Sequence, residues 1–150
     1  MIIRAAVPHD LDEWIRMRRD LWPGGRGDHA KEIAAWFDGA AGDRPDLAQV
    51  LVVERESGGL CGLAELGLRP CADGCDDRPV AYLEGIWVDA DRRRTGVATA
   101  LLRASEAWAR ARGGKELASD FLVDDDVSRA WHRAAGFEEI ETAVRVMRRL

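Results

Sequence analysis

The chain has 150 residues, the size of one domain, and 47% of them are hydrophobic, which is enough for a full core. Its formal net charge of −5 at pH 7 disfavours nucleic acid and anionic membranes as partners and suits a cationic ligand. Three cysteines without a secretion signal indicate the reduced cytoplasm, and no apolar run is long enough to span a bilayer. We therefore expect a single domain over residues 1–150 that acts in the cytoplasm.

The first third of the chain predicts one short strand and two helices. The strand covers Ile2–Ala6, and a helix follows Pro8, which suits a first helical turn. The loop Leu21–Asp28 contains one proline and three glycines. Asp28 can cap a second helix, whose apolar side chains recur at helical spacing: Ile33, Trp36, Phe37 and Ala40.

A hairpin and a central strand come next. The strands Ala48–Arg55 and Leu60–Arg69 are joined by a turn at Ser57–Gly59. The third strand, Val80–Val88, is apolar on both faces and is therefore expected in the middle of the sheet. Gly85 within it indicates a bulge or a close approach of another group to the backbone.

The rest of the chain alternates helices and strands. A helix over Thr95–Arg112 ends at Gly113–Gly114, and a strand covers Lys115–Asp120. A further helix ends at Gly136, and the segment 138–150 is expected to supply one or two last strands. The order predicts an α/β domain with a mixed sheet and helices on both of its sides.

The turn after the central strand has the features of a phosphate site. Its sequence, VDADRRRTGVA, leads from a strand into the first turn of a helix, where free N–H groups and the helix dipole attract anions. Gly96 lets phosphate oxygens approach the backbone, and Arg93 and Arg94 add donors and charge. A solvated basic turn is the alternative. Neither the Walker A pattern nor the dinucleotide fingerprint is present.

Two motifs resemble the GNAT superfamily of acetyl-CoA-dependent N-acetyltransferases. Arg93, Gly96 and Ala98 match its pyrophosphate motif, and WHRAAGFEE (Trp131–Glu139) is similar to its later helix-to-strand turn. The resemblance implies a mostly antiparallel mixed sheet that a bulge splays, with helices on both sides. It also implies acetyl-CoA as cosubstrate and direct attack of an amine on the thioester. No metal is expected, because Cys71 and Cys75 have neither a nearby histidine nor a second cysteine pair.

Four separated segments are similar to the bacterial aminoglycoside 6′-N-acetyltransferases: LWP, GCDDRPVAYLEGIWV, ELASD and HRAAGFEE. This narrower resemblance covers nearly the whole chain. It implies acetyl transfer to the 6′-amine of cationic aminoglycoside antibiotics, and hence antibiotic resistance. It also implies a homodimer formed through C-terminal strands, for which AVRVMRRL would supply the contact.

The resemblance also implies which residues bind acetyl-CoA. The backbone of the central strand would pair with the pantetheine arm, and one of its N–H groups would stabilise the oxyanion. The turn after the strand would hold the pyrophosphate, and a later histidine would face the thiol. The residues are Ile86, Trp87, Val88, Arg93, Arg94, Thr95, Gly96, Val97, Ala98, Thr99 and His132.

Three side chains are the candidates for catalysis and substrate binding. Glu84, in the most apolar strand, is our first choice for proton removal, directly or through water; an exposed sheet face is the alternative. Asp120 ends a strand at the edge where α/β sites gather, unless it only caps the next helix. Both would also hold substrate ammonium groups. Trp22 would stack on a sugar ring, unless it belongs to the core.

The sequence departs from the family where a tyrosine usually serves the leaving thiolate. His132 occupies that position, and Tyr82, the one tyrosine of the chain, lies elsewhere. His132 would donate a proton, or a water would do so, or the ring only packs. The acidic clusters Asp73–Asp77 and Asp124–Asp126 would steer a polycation or cap the backbone.

Two other functions remain open from the sequence. The first is a GNAT enzyme for another amine, such as a polyamine, an arylalkylamine or a protein N-terminus. The second is an acyl-CoA-binding sensor without turnover.

Overall fold

The structure, a computed structural model, describes residues 1–25, 27–39 and 46–150. Within these residues the strands are β1 (Ile3–Ala5), β2 (Leu47–Glu54), β3 (Leu60–Arg69), β4 (Val80–Val88) and β5 (Leu117–Ser119). The helices are α1 (Leu11–Leu21), α2 (His29–Phe37), α3 (Val97–Arg110) and α4 (Asp126–Ala134). Ala40, which we expected on the apolar face of α2, lies outside the described residues.

The strands form one mixed sheet in the order β1-β2-β3-β4-β5. The first four strands are antiparallel to their neighbours, and β5 runs parallel to β4. The long strands β3 and β4 lie at the centre because their side chains are apolar toward both faces. The predicted fold class is confirmed.

Each face of the sheet has its own apolar core. One core packs α1 and α2 against β2 and β3, with Trp14, Met17 and Ile33 fully buried. The other packs α3 on the opposite face, through Val97, Leu101 and neighbouring side chains. The helices therefore cover both sides of the sheet, as predicted, and each side can carry a different part of a site.

The C-terminal segment 138–150 differs from the sequence prediction. It forms neither helix nor strand, and its side chains are exposed, with Val144 and Val146 almost fully so. A strand requires a hydrogen-bonded neighbour, and β5, the edge strand of the described sheet, does not pair with this segment. The predicted last strand is therefore wrong for the chain taken alone.

No helix among the described residues combines the length and the apolar character that crossing a bilayer requires.

Candidate active site

A bulge in β4 is the centre of the candidate site. In the backbone register Glu65 is opposite Gly85 and Leu66 is opposite Leu83, so Glu84 is the extra residue of the bulge. One extra residue shifts the alternation of side chains, and Glu84 and Gly85 consequently lie on the same face, the one that α1 covers. The bulge that Gly85 predicts is confirmed.

The strands β4 and β5 separate at this bulge. Their parallel pairing joins residues 81–83 to residues 117–119 and ends there. At the end of this pairing the Ser119 hydroxyl donates to the carbonyl oxygen of Leu83 at 3.0 Å. In the described part of the chain, no strand pairs with residues 84–88 on the β5 side. Alternate backbone groups of that stretch can therefore accept an extended ligand as an added strand.

The turn between β4 and α3 is shaped to hold an anion. Arg94 and Gly96 have positive φ angles of 58° and 88°, the left-handed conformation that occurs in backbone turns that bind anions. Gly96 directly precedes α3, whose first turn adds the positive end of the helix dipole. A Cβ at Gly96 would meet nothing within 4 Å, so its φ angle is what requires glycine. Thr95 stabilises the turn by donating to the Arg92 carbonyl at 2.6 Å.

The side chain of Arg93 connects this turn to β4. Its Nε donates to the Val88 carbonyl at 3.1 Å, and its guanidinium carbon lies 5.0 Å from the centre of the Trp87 ring. Val97 is buried in the core, and Ile86 packs against the same core. Ile86 and Val97 can therefore offer a ligand chiefly their backbone groups.

The two predicted carboxylates belong to one chain of contacts. Arg69 donates to both oxygens of Glu84, at 3.0 and 2.7 Å. The guanidinium carbon of Arg69 lies 3.4 Å from the centre of the Tyr82 ring, and the Tyr82 hydroxyl donates to Asp120 at 3.0 Å. Arg145, almost fully exposed, approaches the same Asp120 oxygen at 3.3 Å. Glu84 and Asp120 are thus brought together through Arg69 and Tyr82, which the sequence analysis did not select.

The charges of this chain follow from its contacts. Burial raises the pKa of Tyr82, and the neighbouring Asp120 raises it further, so the phenol stays protonated and acts as a donor. The hydrogen bonds with Glu84 raise the pKa of Arg69 above its usual value, so its guanidinium is a permanent cation. The face that would receive a cationic substrate therefore already contains a partly buried cation.

Trp22 lies directly over the bulge. A Cβ at Gly85 would come within 2.9 Å of the Trp22 ring and 2.8 Å of Leu21, so glycine is required here for space. On the helix side, the guanidinium carbon of Arg18 lies 5.7 Å from the centre of the Trp22 ring. The partly exposed indole is therefore held against the strand beside Glu84.

Next to Trp22 lies a buried ionic cluster that the sequence analysis missed. The side chains of Arg18 and Glu65 are 2% and 0% exposed, and Arg18 Nη2 donates to Glu65 at 3.1 Å. Trp14 Nε1 donates to the other oxygen of Glu65 at 2.6 Å, and Glu32 of α2 binds Arg18 at 2.9 Å. One signal was available: Glu65 is the single charged residue in the run LCGLAELGL of a central strand.

His132 is buried behind the point where β4 and β5 separate. Its Nδ1 lies 2.8 Å from the Ser128 carbonyl, which can only accept, so Nδ1 carries the proton. Its Nε2 lies 3.0 Å from Ser119 Oγ. Burial lowers the pKa of His132, and three aromatic rings surround it, those of Phe121, Trp131 and Phe137. The imidazole therefore faces the opening between the strands through its contact with Ser119.

The acidic loop clusters bind backbone groups. Asp77 accepts hydrogen bonds from the N–H groups of Lys115 and Glu116, at 2.7 and 2.9 Å. Glu116 in turn accepts from the N–H groups of Asp76 and Asp77, so the loop before β4 is fastened to the start of β5. Asp125 caps α4 through the N–H of Ser128. These contacts support the capping alternative for both clusters.

None of the cysteines Cys61, Cys71 and Cys75 forms a disulfide. Among the described residues, no three potential metal ligands of the histidine, cysteine or carboxylate type lie together.

Comparison with protein families and curated sequences gives a consistent result. Residues 11–137 match the model of the acetyltransferase (GNAT) family. An aminoglycoside N(6′)-acetyltransferase type 1 from Klebsiella aerogenes is 41% identical over 140 residues, which cover 93% of this chain and 90% of that protein. One with the same name from Stenotrophomonas maltophilia is 38% identical, over 95% of this chain and 89% of its own length.

Solved structures agree over the whole length. The aminoglycoside antibiotic 6′-N-acetyltransferase from Acinetobacter haemolyticus has a TM-score of 0.85 at 31% identity, covering 100% of this chain and 99% of that one. The complex of AAC(6′)-Iy with the bisubstrate analogue CoA-S-monomethyl-acetylneamine has a TM-score of 0.84 at 32% identity, with coverages of 99% and 98%.

Proposed function

The chain belongs to the GNAT family of acetyltransferases, and we propose that it transfers the acetyl group of acetyl-CoA to the 6′-amine of aminoglycoside antibiotics. One observation carries the proposal: the opening between β4 and β5 lies between an anion-binding turn and a face that presents two carboxylates and a tryptophan. This arrangement has a place for a long anionic cosubstrate and another for a cationic acceptor.

The residues around the opening fit acetyl-CoA. The N–H groups around Arg94–Gly96 and the first turn of α3, which contains Ala98 and Thr99, would hold the pyrophosphate. Arg93 would contribute charge from the end of β4. Alternate N–H and C=O groups of Ile86–Val88 would pair with the pantetheine amides, because the β5 side of this stretch has no strand in the described chain. When bound there, acetyl-CoA supplies the activated acetyl group.

The carboxylates serve the acceptor amine. An aminoglycoside amine is an ammonium near neutral pH and must lose a proton before it attacks the thioester. Glu84 and Asp120 flank the place where an amine would approach the end of the opening, and either can accept this proton directly or through water. A backbone N–H of Ile86–Val88 would polarise the thioester oxygen.

His132 is proposed to act on the thiol side through Ser119. As a neutral imidazole with its proton on Nδ1, it can accept a hydrogen bond at Nε2 when the Ser119 hydroxyl turns its one proton from the Leu83 carbonyl to the imidazole. This contact orients a hydroxyl at the point where the strands separate.

Trp22 is proposed to bind a sugar ring. Its indole is fixed against Gly85 and stays partly exposed next to Glu84, so a ring that stacks on it would place its amines within reach of the carboxylates.

The assembly is proposed to be a homodimer. Residues 138–150 expose Ile140, Val144, Val146, Met147 and Leu150 and form no strand within the described chain. The edge strand β5 of a second copy would give this segment the hydrogen-bonded neighbour that it lacks. Size-exclusion chromatography with light scattering tests this; a monomer at assay concentrations would contradict it.

The site of action is proposed to be the bacterial cytoplasm, where acetyl-CoA is available and the free cysteines stay reduced. Acetylation removes a positive charge from the antibiotic, and expression of the protein should therefore raise the inhibitory concentration of aminoglycosides with a 6′-amine.

The deciding experiment mixes purified protein with acetyl-CoA and a panel of amines and follows the release of free CoA thiol. The panel contains tobramycin, kanamycin, neomycin, spermidine and a peptide with a free N-terminus. We expect release with the aminoglycosides and, by mass spectrometry and NMR, a product acetylated at the 6′-amine. Release with spermidine or the peptide alone would refute the substrate, and bound CoA without any release would support the sensor.

Two isosteric variants separate the roles of the carboxylates. If Asp120 accepts the proton, Asp120→Asn lowers kcat roughly 100-fold or more, whereas Glu84→Gln chiefly raises KM for the antibiotic. The reverse pattern would assign the proton to Glu84. Equal, small effects of both variants on kcat would indicate that water alone accepts it.

A further inference from the structure

We propose that Arg69 is an internal counter-ion that occupies the position of a substrate ammonium group at Glu84 and so limits the preference of the site for highly charged aminoglycosides. The inference rests on the proposed function, because it concerns which acceptors that function favours.

The pairing of Arg69 with Glu84 leaves little of the carboxylate open. Nε and Nη2 of Arg69 bind one oxygen each, at 3.0 and 2.7 Å, in the parallel geometry of a guanidinium and a carboxylate. The Glu84 side chain is only 7% exposed. An ammonium group that binds Glu84 must therefore displace at least one of the two guanidinium contacts.

The position of Glu84 is built into the sheet. Glu84 is the extra residue of the bulge in the register of β4 with β3, and Gly67 of β3 provides the space for its carboxylate. A Cβ at Gly67 would lie 2.5 Å from Glu84 Oε1 and 3.1 Å from the Asp46 carbonyl. The carboxylate is thus fixed, and Arg69, which is 32% exposed, is the partner that can move.

The face of Tyr82 supports Arg69 from the other side. The guanidinium carbon lies 3.4 Å from the ring centre, a stacking distance at which the electron-rich face of the ring attracts the cation. The Tyr82 hydroxyl is directed to Asp120, so the ring is itself held in place. Arg69 therefore occupies a cation site made of one carboxylate and one aromatic face, the chemistry that also suits an alkylammonium.

The pairing changes the charge that a substrate meets. With Arg69 in place, Glu84 and Arg69 together are neutral. Of the two carboxylates Glu84 and Asp120, only Asp120 then presents a net negative charge to the substrate. Its contact with Arg145 is solvent-exposed, since the Arg145 side chain is 87% exposed, and screens Asp120 little. Removal of the Arg69 charge would add a second carboxylate to the attraction of the site for polycations.

Kanamycin A and kanamycin B provide a matched pair of probes. They differ at carbon 2′, where the first has a hydroxyl and the second an amine, so the second carries one more positive charge.

Four variants of the protein are compared with these probes. Arg69→Met keeps the aliphatic chain and removes the charge; Arg69→Gln is a second neutral variant in case the first is unstable. Arg69→Lys keeps the charge. Arg103→Met, at an exposed position of α3 on the opposite face, gives the same change in net charge elsewhere.

We expect Arg69→Met to lower KM for kanamycin B relative to kanamycin A by about tenfold, the effect of one additional charged contact of ordinary strength. The salt dependence of KM should also become steeper, because more of the binding is electrostatic. KM for acetyl-CoA should not change. Arg69→Lys and Arg103→Met should both keep the wild-type ratio.

Three results would count against the inference. A neutral variant that raises KM equally for both kanamycins would show that Arg69 only positions Glu84 and Tyr82. An unchanged ratio and salt slope would show that the ammonium groups do not meet Glu84. Wild-type protein that neither acetylates nor binds a kanamycin, measured by calorimetry with CoA present, would refute the proposed function itself before any variant was compared.

Discussion

The buried pair of Arg18 and Glu65 makes a sharp prediction about stability. Glu65→Gln preserves the shape of the side chain and removes its charge, which leaves the Arg18 guanidinium, 2% exposed, with Glu32 as its remaining acidic partner. We expect this single substitution to destabilise the protein, because the desolvation of Arg18 is no longer offset at the sheet.

The magnitude follows from the contacts. Removal of one member of a buried ion pair costs about 3–5 kcal/mol. The amide oxygen of the new glutamine can still accept from Trp14 Nε1, so the lower end, about 3 kcal/mol, applies here. For a domain of this length that corresponds to a decrease in Tm of roughly 6–12 °C.

Urea denaturation of the single and double variants provides the assay. Arg18→Met alone should cost a similar amount, since it removes the buried cation that offsets the charge of Glu65, whose side chain is 0% exposed. The double variant should cost less than the sum by at least about 2 kcal/mol, because both members of the buried pair are then neutral. Additive effects of less than about 1 kcal/mol each, at an unchanged m-value, would refute the reasoning.

Three further predictions concern the site and its surroundings. Gly96→Ala, at a φ of 88°, should raise KM for acetyl-CoA several-fold without affecting KM for the antibiotic, as steady-state kinetics would show. Trp22→Ala should raise KM for the antibiotic without affecting KM for acetyl-CoA, and an unaffected antibiotic KM would remove Trp22 from the substrate site. Burial alone would raise the pKa of Asp89, but hydrogen bonds from Arg16, Arg55 and Trp87 outweigh it and lower the pKa to about 2. Because that value lies below the ordinary one, the stabilisation from Asp89, about 2 kcal/mol, is complete above about pH 4 and is lost as the pH falls toward 2. Asp89→Asn should therefore lower stability at pH 7 and flatten its decrease in acid, which urea titrations at several pH values can measure.

The fold was largely predictable because its elements are marked by local chemistry. Asp28 and Asp125 cap helices, and the apolar run of β4 occupies the centre of the sheet. The last strand was not predictable, since β-propensity describes what a segment can form and not whether a neighbour is available. The alternating side chains of residues 138–150 are exposed in the described chain for that reason.

The site was predictable only where a residue type indicates one specific backbone feature, as glycine does. Gly85 and Gly96 mark a close approach and a left-handed turn, and both lie where the pattern placed them. The partners of Glu84 could not be inferred in the same way. Arg69 lies 15 residues away along the chain and meets Glu84 only because β3 and β4 pair in this register.

The bulge explains why one strand can serve two ligands. Before the bulge, the odd-numbered residues Ala81 and Leu83 contribute to the core under α3. After the bulge, the even-numbered residues Ile86 and Val88 pack against that same core. The extra residue thus lets Glu84 and Gly85 both face α1, one as a carboxylate and one as the floor for Trp22. The pairing with β5 ends at this point, which leaves the backbone beyond Glu84 available on that side. A regular β4 would bury one of these two positions under α3 and continue alongside β5, so the acceptor face and the cosubstrate opening depend on the same single residue.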